Sequence, residues 1–133
     1  MRGWMAAPAT VALMTLAGVL GSACGGTTSA NGPVIDMFDN RFAPDVLEVL
    51  AGTTVEFPNE GRVNHNVVDA DGAFDSREPG GEDQRPGESW SHTFSEPGTY
   101  SIYCSLHAVR NNQGEWEGMV ATITVTPPPV EGG

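Results

Sequence analysis

Four side chains in this 133-residue sequence stand out as able to do chemistry together: His65, Cys104, His107 and Met119. Three fall within "CSLHAVRNNQGEWEGM" (104–119), and His65 sits well upstream in "NHNVV" (64–68). A thiolate, two imidazoles and a thioether are soft or borderline donors. Two histidines and one cysteine in a trigonal plane, with a long axial methionine, suit a copper ion that exchanges single electrons. Zinc prefers four strong donors, so a methionine in fourth place argues against it. Cys104 has one possible cysteine companion, Cys24. A 24–104 disulfide or an inert buried thiol stays open as an alternative, because exported chains usually pair their cysteines. The other candidates read more plainly. His92 in "WSHTF" is a surface strand residue rather than a ligand, Met37 is core, and Trp90 packs at the core or an edge. No pair of carboxylates, no serine with a neighbouring base and no glycine-rich phosphate loop suggests an enzyme.

The elements that must position these donors read as β-structure from Pro33 to Thr126. Short runs rich in Val, Ile, Thr, Phe and Tyr alternate with Gly, Pro, Asn and Asp. The expected strands are "VIDMF" (34–38), "VLEVL" (46–50), "TVEF" (54–57), "HNVVD" (65–69), "ESWSHTF" (88–94), "TYSIYC" (99–104) and "VATITV" (120–125). No window keeps a helical period. Short strands at such spacing predict an antiparallel sandwich or barrel. Alternation places Tyr100, Ile102 and Cys104 on one face, and Met119, Ala121, Ile123 and Val125 on the core face of the last strand. The stretch 69–88 is acidic and rich in Gly and Pro, which predicts an irregular, solvated connection carrying Ala73 and Phe74.

The formal charge is −11, and every basic residue is an arginine. Nucleic-acid binding rests on neutralising phosphates, so this balance excludes it; it favours cationic partners. Residues 9–23 form an uncharged, largely apolar run after Arg2, as in a signal peptide, and end in "LGSAC". Small residues before a cysteine resemble the bacterial lipoprotein signal. That resemblance implies cleavage after residue 23 and lipidation of Cys24, although Leu20 stands one place early. The expected organisation is a signal peptide (1–23), a flexible tether (24–32), one domain (33–126) and a disordered tail (127–133).

"FAPDVLEVLAGTTVEFPNEG" (42–61), "NHNVV" (64–68), "GTYSIYCSLH" (98–107) and "GMVATITV" (118–125) together resemble the blue copper proteins of the plastocyanin type, in the cupredoxin family. The resemblance spans about 33–126. It implies an all-β, Greek-key β-sandwich or barrel of about seven to eight strands. It implies one copper ion cycling between Cu(I) and Cu(II), held by His65, Cys104, His107 and Met119. It implies that the Asn66 backbone N–H bonds the ligand sulfur, and that Tyr103 lies on an outer face where partners dock. Eleven residues (108–118) follow His107 where plastocyanins have a markedly shorter loop. That insert brings Trp116 near the site as cover or docking patch, and makes Glu115 or Glu117 a rival to Met119. The function implied is one-electron transfer by a monomeric carrier, not an enzyme. It would be lipid-anchored outside the cytoplasm on the bacterial membrane, serving redox partners with a positive docking surface. A copper storage or delivery protein, or a small copper enzyme with a modified axial position, stands as the alternative.

Overall fold

The computed structural model describes residues 32–130; the expected signal peptide, Cys24 and nearly all of the expected tether lie outside them. Eight strands follow in order: β1 (Asp36–Phe38), β2 (Arg41–Ala43), β3 (Val46–Leu50), β4 (Thr53–Pro58), β5 (Val68–Asp69), β6 (Ser89–Phe94), β7 (Gly98–Arg110) and β8 (Trp116–Thr126). One sheet runs β3-β8-β7-β5. Opposite it, β4 pairs with β6 and β1 with β2, and parallel bridges Val34↔Glu56 and Met37↔Asn59 tie the β1 segment to β4. The all-β sandwich is the expected one. The antiparallel expectation fails at β3, which lies parallel to β8 in the register Val46↔Thr122 to Leu50↔Thr126. Period-2 alternation says which face is buried but is silent on strand direction.

The core fills from both sheets: Ile35, Met37, Phe42, Val55, Phe57 and Phe94 meet Ile102, Cys104, Met119, Ala121, Ile123 and Val125. Each fully buried large apolar side chain stabilises by about 1.5–3 kcal/mol relative to exposure. The alternation expected for the last two strands holds: Ile102, Cys104, Met119, Ala121, Ile123 and Val125 are all buried. Three elements differ from the expectation. β5 is only Val68–Asp69, where a strand over 65–69 is expected. β2 carries too short an apolar signal to be read from sequence. The eleven residues after His107 are largely strand, because β7 and β8 continue as a ribbon through Arg110↔Trp116. Asn111 closes that ribbon, its Oδ1 accepting the backbone N–H groups of Gln113 and Glu115, each at 2.9 Å.

The acidic connection 69–88 is less solvated than expected. Ser76 and Gln84 are buried, and Phe74 packs on Trp90, His92, Phe94 and Tyr100. Trp90 packs against the core as expected. His92 is half-buried among rings rather than free on the surface.

Candidate metal centre

Residues three apart on a regular strand point to opposite faces, so Cys104 and His107 could not share a site on an unbroken β7. The β7–β8 register runs evenly to Tyr103↔Val120 and resumes at Ala108↔Gly118. Four residues, 104–107, therefore oppose the single residue Met119. Such a bulge re-aims side chains, and here it turns both donors to one point. Gly118 makes the tight return possible. Its φ is +102°, and a Cβ there would lie 2.7 Å from the His107 carbonyl oxygen. Glycine alone accepts both conditions, and the next residue is Met119.

His65 arrives from another segment. Its backbone N–H donates to the Gln84 carbonyl at 3.0 Å, and its own carbonyl accepts from Gln84 N–H at 2.9 Å. Gln84 is itself held: Ser76 Oγ donates to Gln84 Oε1 at 2.9 Å and accepts from Val67 N–H at 2.8 Å. Asn59 Nδ2 donates to the carbonyls of Gln84 and Val63, both at 2.9 Å. Asn66 then joins the two ligand-bearing segments through its side chain. Its Oδ1 accepts from Ser105 N–H at 2.8 Å, and its Nδ2 donates to Ser105 Oγ and Asp83 Oδ1 at 2.8 Å each. All three of these bonds are made by the Asn66 side chain.

The result is one cluster of donors among the described residues: His65, Cys104 and His107, with ligand atoms all within 4.8 Å of one another. Both Nδ1 atoms face inward, 3.2 Å apart. Cys104 Sγ lies 3.5 Å from His107 Nδ1 and 3.9 Å from His65 Nδ1. His65 and Cys104 are fully buried, and His107 is half-buried. Met119 is fully buried in the same core as Cys104. Glu115 and Glu117 are exposed and outside the cluster, held by Asn111 Nδ2 at 3.2 and 2.9 Å.

Burial lowers the pKa of His65, opposed in part by Asp39 beside its ring. Asp39 in turn is held below the usual carboxylate range, chiefly by the Arg62 backbone N–H that it accepts at 2.8 Å. The His65 ring is therefore kept neutral, the form that donates a lone pair to a metal. Tyr103 stacks on Trp116 with centroids 3.8 Å apart and planes 10° apart, and Arg110 lies 5.4 Å over the Trp116 ring. Both rings of that pair are half-buried.

The copper binding proteins of the plastocyanin/azurin family match this chain over residues 34–126. The chain belongs to that family. Its relatives include the chloroplastic plastocyanin of Fritillaria agrestis, 45% identical over an alignment of 96 residues that covers 63% of this chain and 51% of the relative. The family fold recurs in a purple cupredoxin from Nitrosopumilus maritimus, with 26% identity and a TM-score of 0.54 over 71% of this chain and 99% of that one. It recurs also within a copper-containing nitrite reductase from Thermus scotoductus SA-01, with 30% identity and a TM-score of 0.57. This chain covers 73% of itself in that match but only 23% of the reductase.

Copper is the cofactor this donor set fits. One buried thiol, two inward Nδ1 atoms and a buried thioether are the trigonal-plus-axial donors of a type 1 site. Sequence reasoning missed Asp39, Gly61, Ser76, Asp83 and Gln84. They lie in turns and in the acidic connection, where no periodicity marks a residue as buried.

Proposed function

We propose that this protein is a one-electron carrier, with a single copper ion held by His65, Cys104, His107 and Met119. The observation that carries this reading is the convergence of Sγ and two Nδ1 atoms in a buried, strand-braced cluster. Copper, when bound, supplies the Cu(I)/Cu(II) couple. The chain's own residues do the rest. Asn66, Gln84 and Gly118 hold the donors in one geometry, so little rearrangement accompanies a change of charge. The core around Cys104 and Met119 excludes water. Met119 would supply the fourth donor, a thioether, since Glu115 and Glu117 accept hydrogen bonds from Asn111 instead. His107 is half-buried, so its ring edge is the short route to a partner.

Tyr103, bonded to Cys104 through the backbone and stacked on Trp116, offers a second route to the surface. Trp116 lines an open groove of about 470 Å³ with Arg110, Asp71, Glu115 and Glu117. With a net charge of −11, the expected partners are redox proteins with a positively charged docking surface. The protein works as a monomer. We further propose that residues 1–23 direct export, that the domain spans 33–126, and that a lipid on Cys24 tethers it to the outer face of the bacterial membrane. Residues 24–32 would give that tether lateral reach, and 127–133 would form a free tail.

The test is an absorption and EPR spectrum of the Cu(II)-loaded protein. An intense visible thiolate-to-copper band with narrow copper hyperfine splitting is expected. A weak band with wide splitting would overturn the assignment. It would favour the copper-handling reading or an enzyme with an open copper position. Met119→Ala should keep copper bound while moving the spectrum and the potential; the same shift in Glu117→Ala instead would make Glu117 the axial ligand.

A further inference from the structure

The nitrogen of His65 that faces away from the cluster raises a question of its own. Nε2 is fully buried and makes no hydrogen bond among the described residues. Beside it, at 3.4 Å, lies Asp39 Oδ1. The carboxylate arrives from the Asp39-Asn40 turn between β1 and β2, where Asn40 takes a φ of 71°. It is oriented by Arg62 N–H. Gly61 keeps the gap between them open. A Cβ at residue 61 would lie 2.4 Å from Asp39 Oδ1 and 2.8 Å from His65 Nε2, so any side chain there would have to displace one of them. Three segments thus converge on an atom that bears no direct role in ligation.

The chemistry of a neutral imidazole assigns the missing bond. It carries one proton and one lone pair. If Nδ1 gives its lone pair to a metal, the proton must sit on Nε2. A buried N–H left without an acceptor costs about 1–3 kcal/mol. We infer that Asp39 is the positioning residue that accepts this proton, locking His65 in the tautomer that presents Nδ1 and placing a negative charge behind the ligand ring. Ligand histidines commonly donate their second N–H to a carboxylate or carbonyl, which fixes the ring and raises its basicity. A charge there stabilises the more positive Cu(II) over Cu(I), so Asp39 lowers the reduction potential. The inference rests on the reading of His65 as a ligand through Nδ1.

Asp39→Ala, Asp39→Asn and the control Glu60→Gln separate the possibilities. Glu60 is an exposed carboxylate of the same loop as Gly61, so its loss removes one charge without touching His65. Two quantities would be measured on the full chain. The first is Cu(II) affinity by competition titration. The second is the solvent exchange of the His65 Nε2 proton, read by nitrogen-15 NMR of the zinc-loaded, diamagnetic protein. Asp39→Ala is expected to weaken Cu(II) by about 10–100-fold and to speed proton exchange. Asp39→Asn retains an acceptor oxygen for Arg62 N–H and for Nε2, so it should protect the proton yet still raise the potential. A tenfold loss confined to Cu(II) corresponds to about 59 mV. Gly61→Ala should move affinity and exchange in the same direction as Asp39→Ala. If Asp39→Ala matches Glu60→Gln in affinity and matches the parent in exchange, the inference is overturned. If the parent chain itself binds no copper, the reading of the metal centre fails, which is a separate result.

Discussion

Two histidines in this molecule are both held toward neutrality by burial, and they do opposite things. His65 lies among donors: Cys104 Sγ, His107 Nδ1 and the Asp39 carboxylate. His92 lies among rings, 4.2 Å from Phe74, 4.8 Å from Phe94 and stacked on Trp90 at 5.4 Å. Burial lowers the pKa at each. Residue type and burial therefore do not mark a ligand. What marks it is the company of other lone pairs, and a brace that holds them together. The donor end is braced by hydrogen bonds through Asn59, Asn66, Ser76 and Gln84. The aromatic end is held by apolar contact, with Phe74 closing over Trp90, Phe94 and Tyr100.

That contrast predicts separable losses. The largest belongs to Cys104→Ala: the intense visible band should vanish entirely while circular dichroism still reports the sandwich. A persisting blue band would break the distinction, because the colour would then not depend on this thiolate. Next comes Phe74→Ala at the aromatic end. Removing a half-buried ring should cost about 2 kcal/mol in denaturant unfolding and leave the copper spectrum unchanged. A changed spectrum would mean the two ends are coupled. Gly118→Ala should do both kinds of damage. It strains a left-handed residue by about 1–3 kcal/mol and pushes on the His107 carbonyl, so stability and spectrum should move together.

The smallest effect concerns pH. The folded pKa of His92 lies below its unfolded value, which is near 6.5. Between those two values the unfolded chain binds more protons, so stability rises with pH there. His92 thus withholds nothing above the unfolded value, and stability is lost as pH falls below it toward the folded pKa. His92→Phe should flatten that part of the curve. Measuring metal-loaded protein keeps His65 from titrating in the same window. An unchanged slope would show that the rings around His92 yield readily to its charge.

Much of the fold was legible because strands announce themselves by alternation. β3 was read at its true bounds, and the buried row from Met119 to Val125 was read residue by residue. Trp116 and Tyr103 each stand out in the sequence, but nothing local says that they stack on one another. β2 and the ribbon beyond His107 were not legible. Three residues are too few for a pattern, and the ribbon's inward and outward sides are both largely exposed.

The sequence by itself determined the donor types, their order along the chain and the strands that carry them, since these follow from residue chemistry and local periodicity. Only the tertiary structure decided that the donors meet. Cys104 and His107 share a face because a bulge breaks the pleat between them, and the bulge exists only against its partner strand. His65 joins them because Gln84, from a segment without periodicity, pairs with its backbone. Asp39 reaches its ring because Gly61 leaves room. Each is a contact between residues distant in the chain, and local propensity carries no information about what lies across a gap in space.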